Sequence, residues 1–172
     1  MHLPEWLEAM LIYWRNPLTW IPLYLFWVLS FGYRYGKRGL VIIMGALLAV
    51  ALADVLSGQL LKNLFMRPRP CHLEIQNFLL RVPCGSGYSM PSAHATNHFA
   101  LATYFGLYYL RRAKTHWPTI ALLVWAAGVG FAQIFVGVHY PSDIVVGTAI
   151  GILIGYGMYH IVAQYLQKAS HT

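Results

Sequence analysis

Lysine, arginine, serine, histidine and aspartate are concentrated in three short stretches of a chain that otherwise avoids charge. The stretches are KNLFMRPRP at 62–70, YSMPSAHATNH at 88–98 and FVGVHYPSD at 135–143. Each lies where a long apolar run ends or begins. Ionisable groups are costly to place in or beside a membrane, so groups in such positions are candidates for function.

His139 and Asp143 could form a nucleophilic pair. They lie four residues apart across a turn that contains Pro141. A carboxylate at that reach can bind one ring nitrogen of the histidine and leave the other as a nucleophile. His94, in the second stretch, could protonate a leaving oxygen.

Lys62, Arg69 and Ser92 could bind the group that is transferred. The first two are cations, and the arginine fork matches two phosphate oxygens. Ser92 stands where a helix is expected to begin, so its hydroxyl and the free N–H groups of the first turn would form an anion site. With the two histidines, these groups predict phosphoryl transfer without a cofactor. The sequence has no H-E-x-x-H or clustered-ligand spacing that would indicate a metal site.

Each of these residues also has a purely structural explanation. Lys62 and Arg69 could extend to the lipid headgroups. His94 or His139 alone could be an interfacial hydrogen-bonding residue, and Asp143 could stabilise a helix N-terminus. The functional interpretation depends on all three stretches lying on one side of a membrane.

Five apolar runs predict an all-α integral membrane bundle of five to six helices in a single domain, residues 1–172. The runs are Leu18–Tyr33, Gly39–Leu61, Ala95–Leu110, Thr119–Val138 and Ile144–Ala163. A spanning helix needs about 20 apolar residues, so the first and third are expected to extend through flanking tyrosines. Residues 1–16 are expected to form an amphipathic interfacial helix or a short sixth span.

The composition excludes an ordinary soluble domain. The chain is 58% hydrophobic and 10% charged, whereas soluble domains are about 25% charged. The net charge of +7 could indicate nucleic-acid binding, but the basic residues form short clusters between apolar runs, as in membrane proteins. We therefore expect a lipid bilayer, no nucleic acid and no obligate protein partner. The N-terminus lacks the features of a cleavable signal peptide.

Clusters of basic residues follow alternate spans. They are Arg34, Lys37 and Arg38 after the first, Arg111, Arg112 and Lys114 after the third, and Lys168 after the fifth. The positive-inside rule places these ends in the cytoplasm. The residues before Leu18, the connection 62–91 and the turn 139–143 are then outside, where the three polar stretches can converge.

The outer connection 62–91 is predicted to be an active-site loop, because long irregular connections are usually functional or disordered. It holds the chain's two cysteines, Cys71 and Cys84. In an oxidising compartment a disulfide between them would contribute about 3 kcal/mol. Two buried thiols are the alternative.

The three stretches resemble, in order, the motifs of the type 2 phosphatidic acid phosphatase superfamily. Lys62 to Pro70 fits lysine, six residues and Arg-Pro; PSAH at 91–94 resembles Pro-Ser-Gly-His; His139 and Asp143 fit the end of the third motif. The resemblance spans roughly residues 40–165. It implies a metal-independent helical membrane enzyme that dephosphorylates lipid phosphates.

The resemblance also implies a role for each motif residue. His139 would form a phosphohistidine, Asp143 would orient it and His94 would be the general acid. The phosphate would be held by Lys62, Arg69, Ser92 and the backbone N–H of Ala93.

Two positions depart from the family pattern. Ala93 replaces a glycine, which is mild because the backbone N–H remains. Ala132 and Gln133 stand where the third motif usually begins with Ser-Arg. Glutamine can donate a hydrogen bond but supplies no charge, so we expect Gln133 to be a neutral phosphate ligand. Arg67 or Arg81 could supply the missing charge.

Two further polar residues lie deeper in the predicted spans. Asp54 is two helical turns before Lys62, and His98 is one turn after His94. Either could support the site from beneath. Asp54 could instead bond to Ser57 or to a neighbouring helix.

The predicted function is hydrolysis of a lipid phosphomonoester or diphosphate on the outer face of a bacterial inner membrane. Undecaprenyl diphosphate, phosphatidylglycerol phosphate, lipid A 1-phosphate and phosphatidic acid are the candidate substrates. Alternatives are a lipid phosphotransferase of the same fold and, because of Gln133, a non-catalytic lipid-phosphate-binding relative. A proton-relay transporter is disfavoured, because polar groups other than Asp54, Gln59 and Gln133 gather at one end of the spans.

Overall fold

The computed structural model describes residues 4–73, 80–113 and 115–170, without the side chains of residues 112 and 113. Within these ranges the chain is helical and has no strand, which confirms the all-α class. The α-helices are α1 Glu5–Trp14, α2 Ile21–Tyr35, α3 Lys37–Asp54, α4 Lys62–Phe65, α5 Ala93–Ala113, α6 Trp117–Phe135 and α7 Pro141–Lys168. A π-helix, Val55–Leu61, joins α3 to α4, and short 3₁₀ helices cover Pro17–Trp20 and Pro70–His72.

Three helical stretches among the described residues are long and apolar enough to cross a membrane. They are Lys37–Phe65, Trp117–Phe135 and Pro141–Lys168, which correspond to the second, fourth and fifth predicted spans. The first and third predicted spans correspond to α2, with 15 residues, and α5, with 21. The chain is therefore a helical membrane protein, and the count of five spans stays a prediction.

Lys62 lies on a helix rather than at the start of a loop. The helix continues to Phe65 and ends where Met66 adopts a left-handed φ of 46°. Pro68 and Pro70 follow, and proline cannot continue a helix because it lacks a backbone N–H. The connection predicted at 62–91 thus begins after Phe65, and the helix fixes the position of the lysine.

Close packing of α5 against α7 brings the second and third motifs together. Gly147, Gly151 and Gly155 are buried on one stripe of α7. A Cβ at Gly147 would lie 2.7 Å from the Ser92 carbonyl oxygen, and one at Gly151 would overlap the Thr96 carbonyl. Small residues at such positions let helix backbones approach closely.

The N-terminal segment is anchored to α6 by tryptophans. The Trp14 indole N–H donates to the Trp125 carbonyl at 3.4 Å, and the Trp20 ring packs edge-on against Trp125 at 5.5 Å. Gly128 of α6 leaves room for the indole of Trp14, since a Cβ there would lie 2.7 Å from its Nε1. The predicted amphipathic helix at 1–16 is α1, and these contacts fix where its last residue lies.

All three motif stretches lie at the same end of the long helices. The helix from α3 to α4 reaches this end at Lys62, α5 and α7 begin there, and α6 ends there. The basic residues used to predict orientation, such as Arg38 and Lys168, lie exposed at the opposite helix ends. The topology thus allows the three motif stretches to meet, as the sequence predicted.

Candidate active site

His139 and Asp143 form a buried hydrogen-bonded pair at the start of α7. The Nδ1–H of His139 donates to Oδ2 of Asp143 at 3.3 Å, and the same oxygen accepts the Tyr140 backbone N–H at 2.9 Å. His139 is 4% exposed and Asp143 is fully buried. Because Nδ1 binds the carboxylate, Nε2 is left with its lone pair for nucleophilic attack. The turn residues Gly137, with φ of 83°, and Pro141 set this geometry.

The surroundings of His139 favour its neutral form. Burial is the main influence that lowers its pKa, and the positive charges of Arg69 and Lys62 act in the same direction. The hydrogen bond to Asp143 and the charge of that carboxylate oppose this change. The net effect is an imidazole that stays neutral below the ordinary histidine pKa, as a nucleophile requires.

Arg67 binds the other oxygen of Asp143, a contact that sequence reasoning missed. Its Nη1 donates to Oδ1 of Asp143 at 3.0 Å and to Oγ of Ser142 at 2.6 Å. Its guanidinium also lies 3.9 Å from the centre of the Tyr140 ring. Arg67 therefore holds Asp143 in place. The alternation of arginine and proline at 67–70 is the sequence feature that could have indicated this contact.

Arg69 and Lys62 bring the first motif to the same place. Arg69 is 9% exposed and donates from Nε to the Gly87 carbonyl and from Nη1 to the Val138 carbonyl, each at 3.3 Å. Val138 directly precedes His139, so this bond fixes the guanidinium beside His139. Lys62 interacts electrostatically with Arg69, with Asp143 and with Asp54.

Ser92 and Ala93 place the start of α5 against Asp143. The Ser92 backbone N–H donates to the Asp143 carbonyl at 3.1 Å, and the buried Ser92 hydroxyl accepts the Ala95 N–H at 3.4 Å. Ser92 thus caps the helix that Ala93 begins. Its hydroxyl hydrogen can still be donated to an anion.

His94 shares the electrostatic environment of His139. It interacts with His139, Lys62 and Arg15. Its carbonyl accepts the Nδ1–H of His98 at 2.8 Å, one helical turn further on. The two histidines of the predicted mechanism are therefore close enough to interact electrostatically, and His98 supports the first turn of α5.

Gln133 is buried in the last turn of α6 with an unsatisfied side chain. The residue is 0% exposed, and neither Nε2 nor Oε1 has a hydrogen-bond partner among the described residues. Buried amides usually find partners, so an unpaired one calls for an explanation. The neutral phosphate contact of Gln133 stays a prediction. Arg81, the other suggested source of charge, donates to Glu8 at 3.2 Å and to the Phe135 carbonyl at 3.0 Å.

The structure joins Cys71 and Cys84 in a disulfide, 13 residues apart in sequence. These sulfurs and His72 are the described groups close enough together to hold a metal ion, but sulfurs bonded to each other are not thiolate ligands. Gly85, next to the bridge, has its Cβ position 3.7 Å from the Arg69 guanidinium. The disulfide therefore lies next to the segment, Gly85 to Gly87, that contacts Arg69.

An open groove of about 610 Å³ runs along α2, α3 and α5. Its lining is mainly apolar and includes Trp27, Leu47 and Phe105. Its polar residues are Asp54, Asn97 and His98, and the Asn97 amide donates to Asp54 at 3.4 Å. Asp54 thus bonds to a neighbouring helix, whereas the Ser57 hydroxyl donates to the Ala53 carbonyl.

Residues 42–166 match the profile of the PAP2 superfamily. The chain belongs to this superfamily. It is 28% identical to the lipid A 4'-phosphatase of Bacteroides thetaiotaomicron, over 94% of this chain and 72% of that protein. It is 37% identical to the decaprenylphosphoryl-5-phosphoribose phosphatase of Mycobacterium tuberculosis, over 71% of this chain and 60% of that protein.

Two solved structures share the fold. The transmembrane PAP2-type phosphatidylglycerolphosphate phosphatase of Bacillus subtilis superposes with a TM-score of 0.72 at 22% identity, covering 96% of this chain and 79% of that one. LpxE of Aquifex aeolicus gives 0.69 at 25% identity, covering 91% and 87%. The family and its phosphatase members identify this PAP2 protein as a membrane phosphatase, a hydrolase of phosphate esters.

Proposed function

We propose that this PAP2 protein hydrolyses a phosphomonoester or diphosphate of a membrane lipid through a phosphohistidine at His139. The observation that carries the proposal is the buried His139–Asp143 pair, with its Nδ1···Oδ2 distance of 3.3 Å and the cations Arg69 and Lys62 beside it. The carboxylate orients the ring and stabilises positive charge on it. The cations neutralise the phosphoryl group as it is transferred.

The reaction takes two steps at one phosphorus atom. In the first, the Nε2 lone pair of His139 forms a P–N bond, the P–O bond to the lipid breaks, and His94 gives a proton to the leaving oxygen. In the second, water attacks phosphorus and gives a proton to His94. The P–N bond breaks, inorganic phosphate leaves and Nε2 regains its lone pair. No step requires a metal ion or cofactor.

The groove along α2, α3 and α5 supports an amphiphilic substrate. One of its polar residues, His98, bonds to the carbonyl of His94. An acyl or prenyl chain in the apolar part of the groove would place its phosphate near the histidines. Lipid A phosphates, undecaprenyl diphosphate, phosphatidylglycerol phosphate and phosphatidic acid all have this form. The named relatives, which include lipid A and polyprenyl-linked phosphatases, support the same class.

The proposed location is the inner membrane of a bacterium, with the site on the periplasmic face. The basic residues at the helix ends opposite the site support this orientation through the positive-inside rule. A disulfide beside Arg69 agrees with an oxidising compartment.

Phosphate release from a panel of these lipids, in detergent with a chelator present, tests the proposal. We expect the wild-type protein to release inorganic phosphate and His139→Ala to release none above background. His160→Ala is the matched control. His160 is an exposed histidine of α7 that lies outside the three motif stretches, so this variant should keep full activity. Activity that needs added metal, or labelled phosphate transferred to another lipid, would contradict metal-free hydrolysis.

A further inference from the structure

Arg15 directly follows α1 and is held in position by contacts of this helix. Its backbone N–H donates to the Leu11 carbonyl at 3.2 Å. The preceding residue, Trp14, is bonded to Trp125 of α6. The α1 helix is also tied to α6 by Glu8, which pairs with Arg81 at 3.2 Å. These contacts hold the Arg15 backbone against the helix that carries Gln133.

The guanidinium of Arg15 is partly buried without a counter-ion. Its Nε is buried and has no hydrogen-bond partner, and no ion pair joins Arg15 to a carboxylate among the described residues. Asp143 and Glu8 are instead paired with Arg67 and Arg81. A cation removed from water and left unpaired is costly unless an anion occupies the site during function.

The charge of Arg15 acts on residues of the proposed phosphate site. Burial lowers the pKa of Arg15, and the positive charge of Arg69 lowers it further. Arg15 also interacts electrostatically with His94. Arg15 thus interacts electrostatically with Arg69, a proposed phosphate ligand, and with His94, the proposed general acid. Arg69 is positively charged, and His94 becomes so when it is protonated.

We propose that Arg15 is a phosphate-binding residue that supplies the positive charge absent at Gln133. The inference rests on the proposed phosphatase function and adds a residue from outside the three motifs. Arg15, Arg69 and Lys62 would surround the phosphoryl group. Gln133 would contribute only its amide hydrogen bonds. Arg67 does not fill this role because its guanidinium binds Asp143.

Steady-state kinetics of Arg15→Gln and Arg15→Lys test the assignment, with the panel lipid that the wild-type protein hydrolyses fastest. Loss of one charged ligand to a transition state lowers kcat by about 100- to 1,000-fold, so we expect that loss in Arg15→Gln and a smaller one in Arg15→Lys. Inhibition by inorganic phosphate should weaken at least about tenfold in Arg15→Gln, because a ligand to the product is lost. Arg38→Gln, which removes an exposed charge at the α2–α3 turn, is the matched control and should behave as wild type.

A double variant distinguishes the loss of a charge from the loss of the folded structure. Adding Gln133→Arg to Arg15→Gln should restore part of the lost kcat/KM. Wild-type kinetics in Arg15→Gln would overturn the inference while leaving the phosphatase function intact. Equal losses in Arg15→Gln and Arg15→Lys, with phosphate inhibition unchanged, would also overturn it, because they indicate a structural role. If the wild-type protein releases no phosphate, the proposed function fails first and this inference with it.

Discussion

At Asp143 one carboxylate accepts hydrogen bonds from three groups that come from two motifs. Oδ2 binds His139 and the Tyr140 backbone, and Oδ1 binds Arg67. The carboxylate therefore does more than orient the histidine, since it also ties the first motif to the third. Buried polar networks of this kind are costly to break, because each lost partner leaves a group unsatisfied.

Asp143→Asn tests this network through activity and its pH dependence. We expect kcat to fall by about 10³- to 10⁴-fold, as when a histidine loses its orienting carboxylate. Burial, Arg69 and Lys62 lower the pKa of His139, whereas the charge of Asp143 raises it. The net pKa is lowered, so the acid limb of the wild-type profile of kcat/KM against pH should lie below about pH 6.5. In the variant the acid limb should move to still lower pH.

The measurement is kcat/KM against pH, which reports the free enzyme. Glu5→Gln, an exposed carboxylate on α1, is the control and should leave both rate and profile unchanged. An acid limb that moves to higher pH in Asp143→Asn would show that the carboxylate does not raise the pKa of His139.

At the scale of the elements, the glycine stripe of α7 decides whether the motifs can meet. The Ser92 N–H to Asp143 carbonyl bond of 3.1 Å requires α5 and α7 to approach backbone to backbone. Gly147, Gly151 and Gly155 permit this approach along three successive turns. The active-site geometry thus depends on residues far from the chemistry.

Gly151→Ala is expected to destabilise the protein by about 1–3 kcal/mol, because the added Cβ overlaps the Thr96 carbonyl. Gly157→Ala, on the same helix, has no atom within 4 Å of the new Cβ and is the matched control. It should be neutral or stabilising by up to about 1 kcal/mol, since alanine favours helix. Thermal unfolding in detergent compares the two. A Tm for Gly151→Ala equal to that of Gly157→Ala would show that α5 and α7 do not pack this closely.

At the scale of the whole molecule, all three motifs lie at one end of the long helices and basic residues lie at the other. This polarity follows from helix direction, since α5 and α7 begin at the site and the helix bearing Lys62 ends there. The chain can therefore present its phosphate site to one aqueous face only. The proposed face is the periplasm.

Fusions to alkaline phosphatase, which is active only outside the cytoplasm, test this orientation. A fusion after Val138 should be active, because this residue precedes His139 at the outer end. A fusion after Lys168 should be inactive, because α7 has returned the chain to the basic side. The opposite pattern would place the active site in the cytoplasm.

Much of the fold and of the site could be predicted from residue types and spacing. Apolar runs of bilayer length indicate helices, because an unpaired backbone group is too costly in lipid. The four-residue spacing of His139 and Asp143 indicates a local pair, since a carboxylate in the first turn of a helix can reach back to the preceding turn. The motif order then identified the family.

Contacts between distant segments were decided only by the tertiary structure. Arg67 and Arg69 are two residues apart and both cationic, yet one binds Asp143 and the other binds the backbone beside His139. Arg15 belongs to none of the three motif stretches, and only the bond of its neighbour Trp14 to Trp125 places it against α6. Sequence alone determined which residues can do the chemistry, because that depends on local spacing and side-chain type. Packing of glycine and tryptophan between helices determined which of them meet, because those distances join residues far apart in the chain.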